Sequence, residues 1–171
     1  MKKINFRNDI LPMKDMLFRL AMRITLCREE AQDIVQDTLI KVWNRRDSWD
    51  TIDNIEAYAL TICRNLALDH TRFHANQNTS LESEKTPEHA DIVMTPYEQT
   101  VQREKVQIVR SLIDALPEKQ RSCMQLRDIE GKTYKEIAQV LNITEEQVKV
   151  NIFRARQTIK QKFDEYDKYG L

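Results

Sequence analysis

Glycine is almost missing from this chain: there are two in 171 residues, Gly131 and Gly170. Phosphate-wrapping loops and dinucleotide-binding turns need several glycines where backbone approaches ligand. Most enzyme classes built on such turns are therefore excluded. No run approaches the ~20 apolar residues of a membrane span. The opening MKKINFRNDI is basic but has no apolar core, so no secretory signal is read from it. Cysteines are three, Cys27, Cys63 and Cys123. An odd, widely spaced set reads as reduced thiols of a cytoplasmic protein rather than a disulfide framework. Net charge is lacking too, with 27 Lys+Arg against 27 Asp+Glu. A nucleic-acid binder of this composition must segregate its charge or borrow affinity from a partner.

What is present in abundance is helix-forming sequence, and the fold class expected is all-α: two small helical domains joined by a polar linker. Apolar residues recur at helical spacing in three early segments. One runs over residues 12–27 with Met16, Leu17, Leu20 and Ile24 inward. A second covers 28–46 with Ala31, Ile34, Val35, Leu39 and Val42 inward. A third starts near Asn54, with Ile55, Tyr58, Ala59, Ile62, Leu66 and Ala67 as its core face. A polar loop, NRRDSWDTIDN, separates the last two. From His74 to Met94 the periodicity dissolves into polar, mildly acidic sequence. The division expected is 1–76, a linker at 77–94, and 95–171. Thr95, Pro96 and Glu98 carry the cap, first-turn proline and capping-box acid of a new helix.

The last third is the most specific. Thr133 and Glu136 have capping-box spacing, as do Thr144 and Gln147, so two helices start there in quick succession. Asn142 between them suits a left-handed turn position. Ile137, Ala138 and Leu141 share one face of the first helix; Val148, Ile152, Ala155 and Ile159 share one face of the second. Residues 147–162 hold five cations, Lys149, Arg154, Arg156, Lys160 and Lys162, and no acid. A helix-turn-helix with a one-signed second helix is built to lie in a DNA major groove, whereas an isolated basic helix is an ordinary solvated face. His70, His74 and Cys63 are too few for a structural metal site. No nucleophile–base set stands out, so neither catalysis nor a cofactor is expected.

Two blocks together resemble a known family. AQDIVQDTLIKVW (31–43) and NIEAYALTICRNLALDHTR (54–72) are similar to the core-binding and promoter-contacting helices of bacterial RNA polymerase sigma factors. LPEKQRSCMQLRDIEGKTYKEIAQVL with EEQVKVNIFRARQ is similar to the sigma domain that reads the minus-thirty-five element. One short linker and no intervening domain resemble the extracytoplasmic-function group, over about 150 residues. The sequence departs from the family pattern at Gln32, usually an acid; at Tyr58-Ala59, commonly Trp-Leu; at Cys63, usually Ala; and at Asn142, usually Gly.

The resemblance implies a sigma factor that directs promoter-specific initiation and is not itself a catalyst. It implies binding to core RNA polymerase, with Gln32, Asp33, Gln36, Asp37 and Lys41 on the β′ clamp helices and the second domain at the β flap. Ser48, Trp49 and Asp50 fall in the loop that captures a flipped base of the minus-ten element; Trp49 is either the wall of that site or an apolar plug beneath the loop. Arg64, Asn65, Asp69 and Arg72 match positions facing promoter DNA. Lys149, Val150, Asn151, Phe153 and Arg154 fall where the minus-thirty-five element is read. An anti-sigma factor is a further partner the family brings to mind. The competing reading, a stand-alone helix-turn-helix regulator, explains the last third but not residues 31–72.

Overall fold

The computed structural model describes residues 3–77 and 96–169, and every regular element among them is helical. The first unit holds α1 (Lys14–Thr25), α2 (Arg28–Asn44) and α3 (Ile55–Gln77). A π-helical turn at Phe6–Ile10, capped by the Asn5 side chain, and a 3-10 turn at Leu11–Met13 lead into α1. Pro12 sits in that 3-10 turn, where a fixed φ and a missing donor cost least. Ile10 and Met13 are buried, so the leading segment belongs to the core rather than fraying from it.

Helix α1 ends on Leu26, whose φ of 56° is left-handed. Its amide donates to Met22 O at 2.9 Å, closing the helix. That conformation costs a non-glycine residue roughly 1–2 kcal/mol. The Leu26 side chain is 37% exposed, so its burial returns about 1–2 kcal/mol, comparable to that cost. Glycine's extra freedom in the unfolded chain offsets about 0.4–1 kcal/mol of the relief. Leu26→Gly is therefore expected to gain no stability, read as a urea midpoint at or slightly below wild type with unchanged slope.

The core of this unit is Leu17, Leu20, Ala21 and Ile24 of α1 against Ile34, Val35 and Val42 of α2 and Ala59, Leu60, Cys63 and Ala67 of α3. Thr25 and Thr38 are buried but satisfied, each hydroxyl donating one turn back, to Ala21 O at 3.0 Å and Ile34 O at 2.7 Å. The expected inward faces of the first two helices agree with the burial seen, with Met16 and Leu39 half-buried. The third departs. Ile55, Tyr58, Ile62 and Leu66 are only half-buried, while Ala57, Leu60, Cys63 and Arg64 are buried as well. The reason is that α3 is covered on two sides, by α1 and α2 and by a helix of the second unit.

The second unit holds α4 (Pro96–Asp114), α5 (Glu118–Met124), α6 (Tyr134–Leu141) and α7 (Glu145–Tyr169). A π-helical turn, Gln125–Ile129, extends α5 and ends at Gly131, φ 68°, where the Lys132 amide reaches back to Leu126 O at 2.9 Å. Both late capping boxes form. Glu136 N donates to Thr133 Oγ1 at 3.2 Å and Thr133 N to Glu136 Oε2 at 2.8 Å. Gln147 N donates to Thr144 Oγ1 at 3.1 Å and Thr144 N to Gln147 Oε1 at 3.0 Å. Asn142 adopts φ 53°, left-handed, between them. Ile137, Val140 and Leu141 pack on Val148, Ile152 and Leu126 in a cluster continuous with the first unit's core. Thr95 and residues 78–94 of the expected linker lie outside the described residues.

Candidate nucleic-acid interface

In the second unit α7 is the second helix of the helix-turn-helix. Because Val148, Ile152 and Ala155 are buried at helical spacing, the opposite side is left outward. Lys149, Val150, Phe153 and Arg154 are exposed there; Phe153, at 66%, is a large aromatic ring standing in water. Asn151 lies beside them, half-buried, its amide donating to Gln147 O at 2.8 Å. Lys149 is drawn loosely to Glu146 at 3.7 Å and lies 5.8 Å from the Tyr134 ring centroid. A hollow of about 280 Å³ opens between Gln147, Val150, Asn151 and Arg154 of α7 and Lys119 of α5. Lys119 is the residue sequence reading missed. Nothing in its local pattern marks it, since only the packing of α5 on α7 brings a lysine from 35 residues upstream beside Arg154. Arg156 faces the other way, its Nε donating to Asp128 Oδ2 at 3.0 Å in a two-pronged pair.

In the first unit, α2 exposes Gln32, Asp33, Gln36, Asp37 and Lys41 along one polar face. That face ends in apolar surface: Ile40 is 56% and Trp43 44% exposed. The loop between α2 and α3 is a 3-10 turn, Arg46–Thr51. Trp49 is buried beneath it, and its indole N–H donates to Val42 O at 3.0 Å. Of the two roles open to it, this geometry supplies the plug. Trp43 is more exposed, edge-on to Phe6 (5.1 Å) and to Trp49 (6.2 Å), with the Arg46 guanidinium 4.9 Å above its ring. Phe6, Arg7, Trp43, Arg46, Trp49 and Asp50 are among the residues lining an open cavity of about 520 Å³. Asp50 is exposed at its rim, and Ser48, in the same 3-10 turn, is half-buried.

Along α3, Asn65, Asp69 and Arg72 are exposed, but Arg64 is not. Its guanidinium is buried against the second unit, donating to both Glu118 oxygens at 3.0 and 2.8 Å. Burial pushes the thiols of Cys63 and Cys123 up to about 12, and Cys63 Sγ donates to Leu17 O at 3.3 Å. Both are inert thiols rather than nucleophiles. His74 Nε2 lies 2.9 Å from Glu30 Oε1. No cluster of three metal-ligating side chains occurs among the described residues, and no helix among them is long and apolar enough to cross a membrane.

A helical unit with an exposed polar face on α2, followed by a helix-turn-helix unit whose second helix is exposed, is the architecture of a helical DNA-binding protein. Comparison with known proteins gives it a family. Residues 10–77 match Sigma-70 region 2 and residues 107–159 match Sigma-70, region 4. The ferric citrate uptake sigma factor FecI of Escherichia coli is 31% identical over 74% of this chain and 72% of its own. The ECF RNA polymerase sigma factor SigM of Bacillus subtilis is 24% identical over 84% and 86%. The fold is shared with the sigma factor RpoE of Bartonella quintana, solved in complex with the anti-sigma factor NepR, at a TM-score of 0.77, 24% identity and coverage of 95% of this chain and 98% of that one. The chain belongs to the extracytoplasmic-function group of RNA polymerase sigma factors.

Proposed function

We propose that this sigma factor docks on core polymerase through α2 and reads a promoter at two places, the minus-ten element through the first unit and the minus-thirty-five element through α7. The units correspond to residues 1–76 and 95–171, with 77–94 between them. Directing polymerase to promoters is the function; the chemistry is the polymerase's, and the chain contributes binding and positioning, in the cytoplasm. The observation that carries the reading is a single chain exposing both a wholly solvated polar helix face on α2 and the Lys149–Val150–Phe153–Arg154 surface on α7. A stand-alone regulator has no use for the first.

The α2 face suits the β′ clamp helices. Its acids repel DNA phosphate, while Ile40 at its end, 56% exposed, supplies the apolar anchor that protein interfaces need. The second unit meets the β flap. The Phe6–Trp43–Arg46 cavity takes an unstacked base of the opened minus-ten element, with Asp50 at its edge, Ser48 in the adjoining turn, and Asn65, Asp69 and Arg72 tracking the strand. An anti-sigma factor, as bound by the Bartonella protein, fits the regulation of such a chain.

In-vitro transcription with core polymerase on a promoter library tests the whole: the chain is expected to start transcripts at a defined promoter class. Pull-down of core polymerase tests the docking face. Like charges set against each other at an interface cost several kcal/mol. The double variant Asp33→Lys, Asp37→Lys is thus expected to lose at least roughly tenfold in core affinity, about 1.4 kcal/mol, with an unaltered circular dichroism spectrum. Undiminished capture would remove α2 as the docking helix.

A further inference from the structure

The outward side of α7 is apolar at its centre. Val150 is 43% and Phe153 66% exposed, and a separation of three residues makes them neighbours on one helix face. Neither belongs to the core, whose face on this helix is Val148, Ile152 and Ala155. The polar side chains around them are engaged within the protein. Gln147 gives Oε1 to the Thr144 amide at 3.0 Å, and the Asn151 amide is turned back to Gln147 O at 2.8 Å. Lys149 and Glu146 attract each other at 3.7 Å. Ile143 and Val150 are the apolar members of the hollow shared with Lys119 and Arg154.

Base edges in a major groove are donors and acceptors, with one apolar substituent among them, the C5 methyl of thymine. An apolar side chain set on a donor or acceptor takes it out of water without pairing it, which costs free energy. Set on a methyl group, it removes apolar surface from water on both partners. Reading guanine or adenine by hydrogen bonds needs a fork of polar atoms, and Val150 and Phe153 carry none. Three residues of helix rise about 4.5 Å, against ~3.4 Å between neighbouring base pairs. The two side chains therefore fall on one pair or on two adjacent pairs.

We propose that Val150 and Phe153 are specificity-determining residues, which select thymine in the minus-thirty-five element through its C5 methyl group. This rests on the function proposed above, in which α7 meets that element, and adds which base is chosen and by what chemistry. Arg154, beside them, is left for guanine or phosphate.

Holoenzyme binding to promoter duplexes in which each thymine of the upstream element is replaced in turn by deoxyuridine tests this. The replacement removes the methyl and keeps the base pair. The wild type is expected to lose about fourfold in affinity at one thymine or two neighbouring ones, the equivalent of one buried methyl group, and to be indifferent elsewhere. At a sensitive position 5-methylcytosine is expected to be bound more tightly than cytosine. The double variant Val150→Ser, Phe153→Ser, altered only at exposed positions, is expected to keep its helical circular dichroism spectrum and to bind thymine and deoxyuridine duplexes alike. A preferred element without thymine in either strand would overturn the inference. Sensitivity that survives the double variant would also overturn it, giving the two side chains to another occupant such as a protein partner. A wild-type holoenzyme that discriminates upstream elements but ignores every methyl sinks this inference alone; one that does not discriminate them sinks the proposed role of α7 with it.

Discussion

Trp49→Ala will cost the first unit about 3–5 kcal/mol of stability, while Trp43→Ala will leave the fold nearly intact and impair promoter opening. The two tryptophans lie six residues apart in sequence and differ in what surrounds them. Trp49 is 7% exposed and its indole N–H is bonded to the Val42 carbonyl at the end of α2. Truncation removes the ring that fills the space under the loop and leaves a cavity. A domain's whole stability is typically about 5–15 kcal/mol, so thermal or urea unfolding should show a large loss. Trp43, at 44% exposed, can lend its open side to a base. Stacking on an aromatic ring contributes roughly 1–3 kcal/mol per base, which corresponds to about 5–150-fold in open-complex stability. Permanganate reactivity of the melted region in the holoenzyme measures it. Trp43→Ala with wild-type melting would place the base wall elsewhere, and Trp49→Ala with wild-type unfolding would deny the plug.

Arg154→Ala will reduce minus-thirty-five recognition, and the form of the loss will reveal the contact. Arg154 is exposed on α7 at the edge of the hollow shared with Lys119, and its neighbours are partly committed. Lys149 is drawn toward Glu146 and Tyr134, and the Asn151 amide is spent on its own helix. If Arg154 forks onto a guanine edge, its loss costs about 1–3 kcal/mol at one position and relaxes preference there. If it holds a phosphate, all sequences weaken alike and the salt slope falls by about one. Holoenzyme binding to a library varied in the upstream element, at several salt concentrations, separates the two. A variant unchanged in both respects would mean that this face of α7 does not read DNA.

Much of the candidate site is legible in the sequence because its signals are local. Thr133/Glu136 and Thr144/Gln147 are separated by three residues, and that spacing alone lets each side chain reach the other's backbone amide. Val148, Ile152 and Ala155 fix which side of α7 is inward, so the outward positions follow by rotation. The same logic places Gln32, Asp33, Gln36 and Asp37 together on α2.

What the sequence by itself determined is therefore the helices, their caps, the left-handed turn at Asn142 and the outward faces of α2 and α7. Each depends on residues within about a turn or two of one another. Only the tertiary structure decided which tryptophan is plug and which is exposed, that Lys119 stands beside Arg154, and that Arg64 is turned into the second unit to meet Glu118 across 54 positions of chain. Periodicity reports one buried face per helix. It carries no information about a second covering surface such as α6 on α3, nor about which distant carboxylate a given arginine will find. Those outcomes are set by packing between units, where a buried guanidinium must be paired.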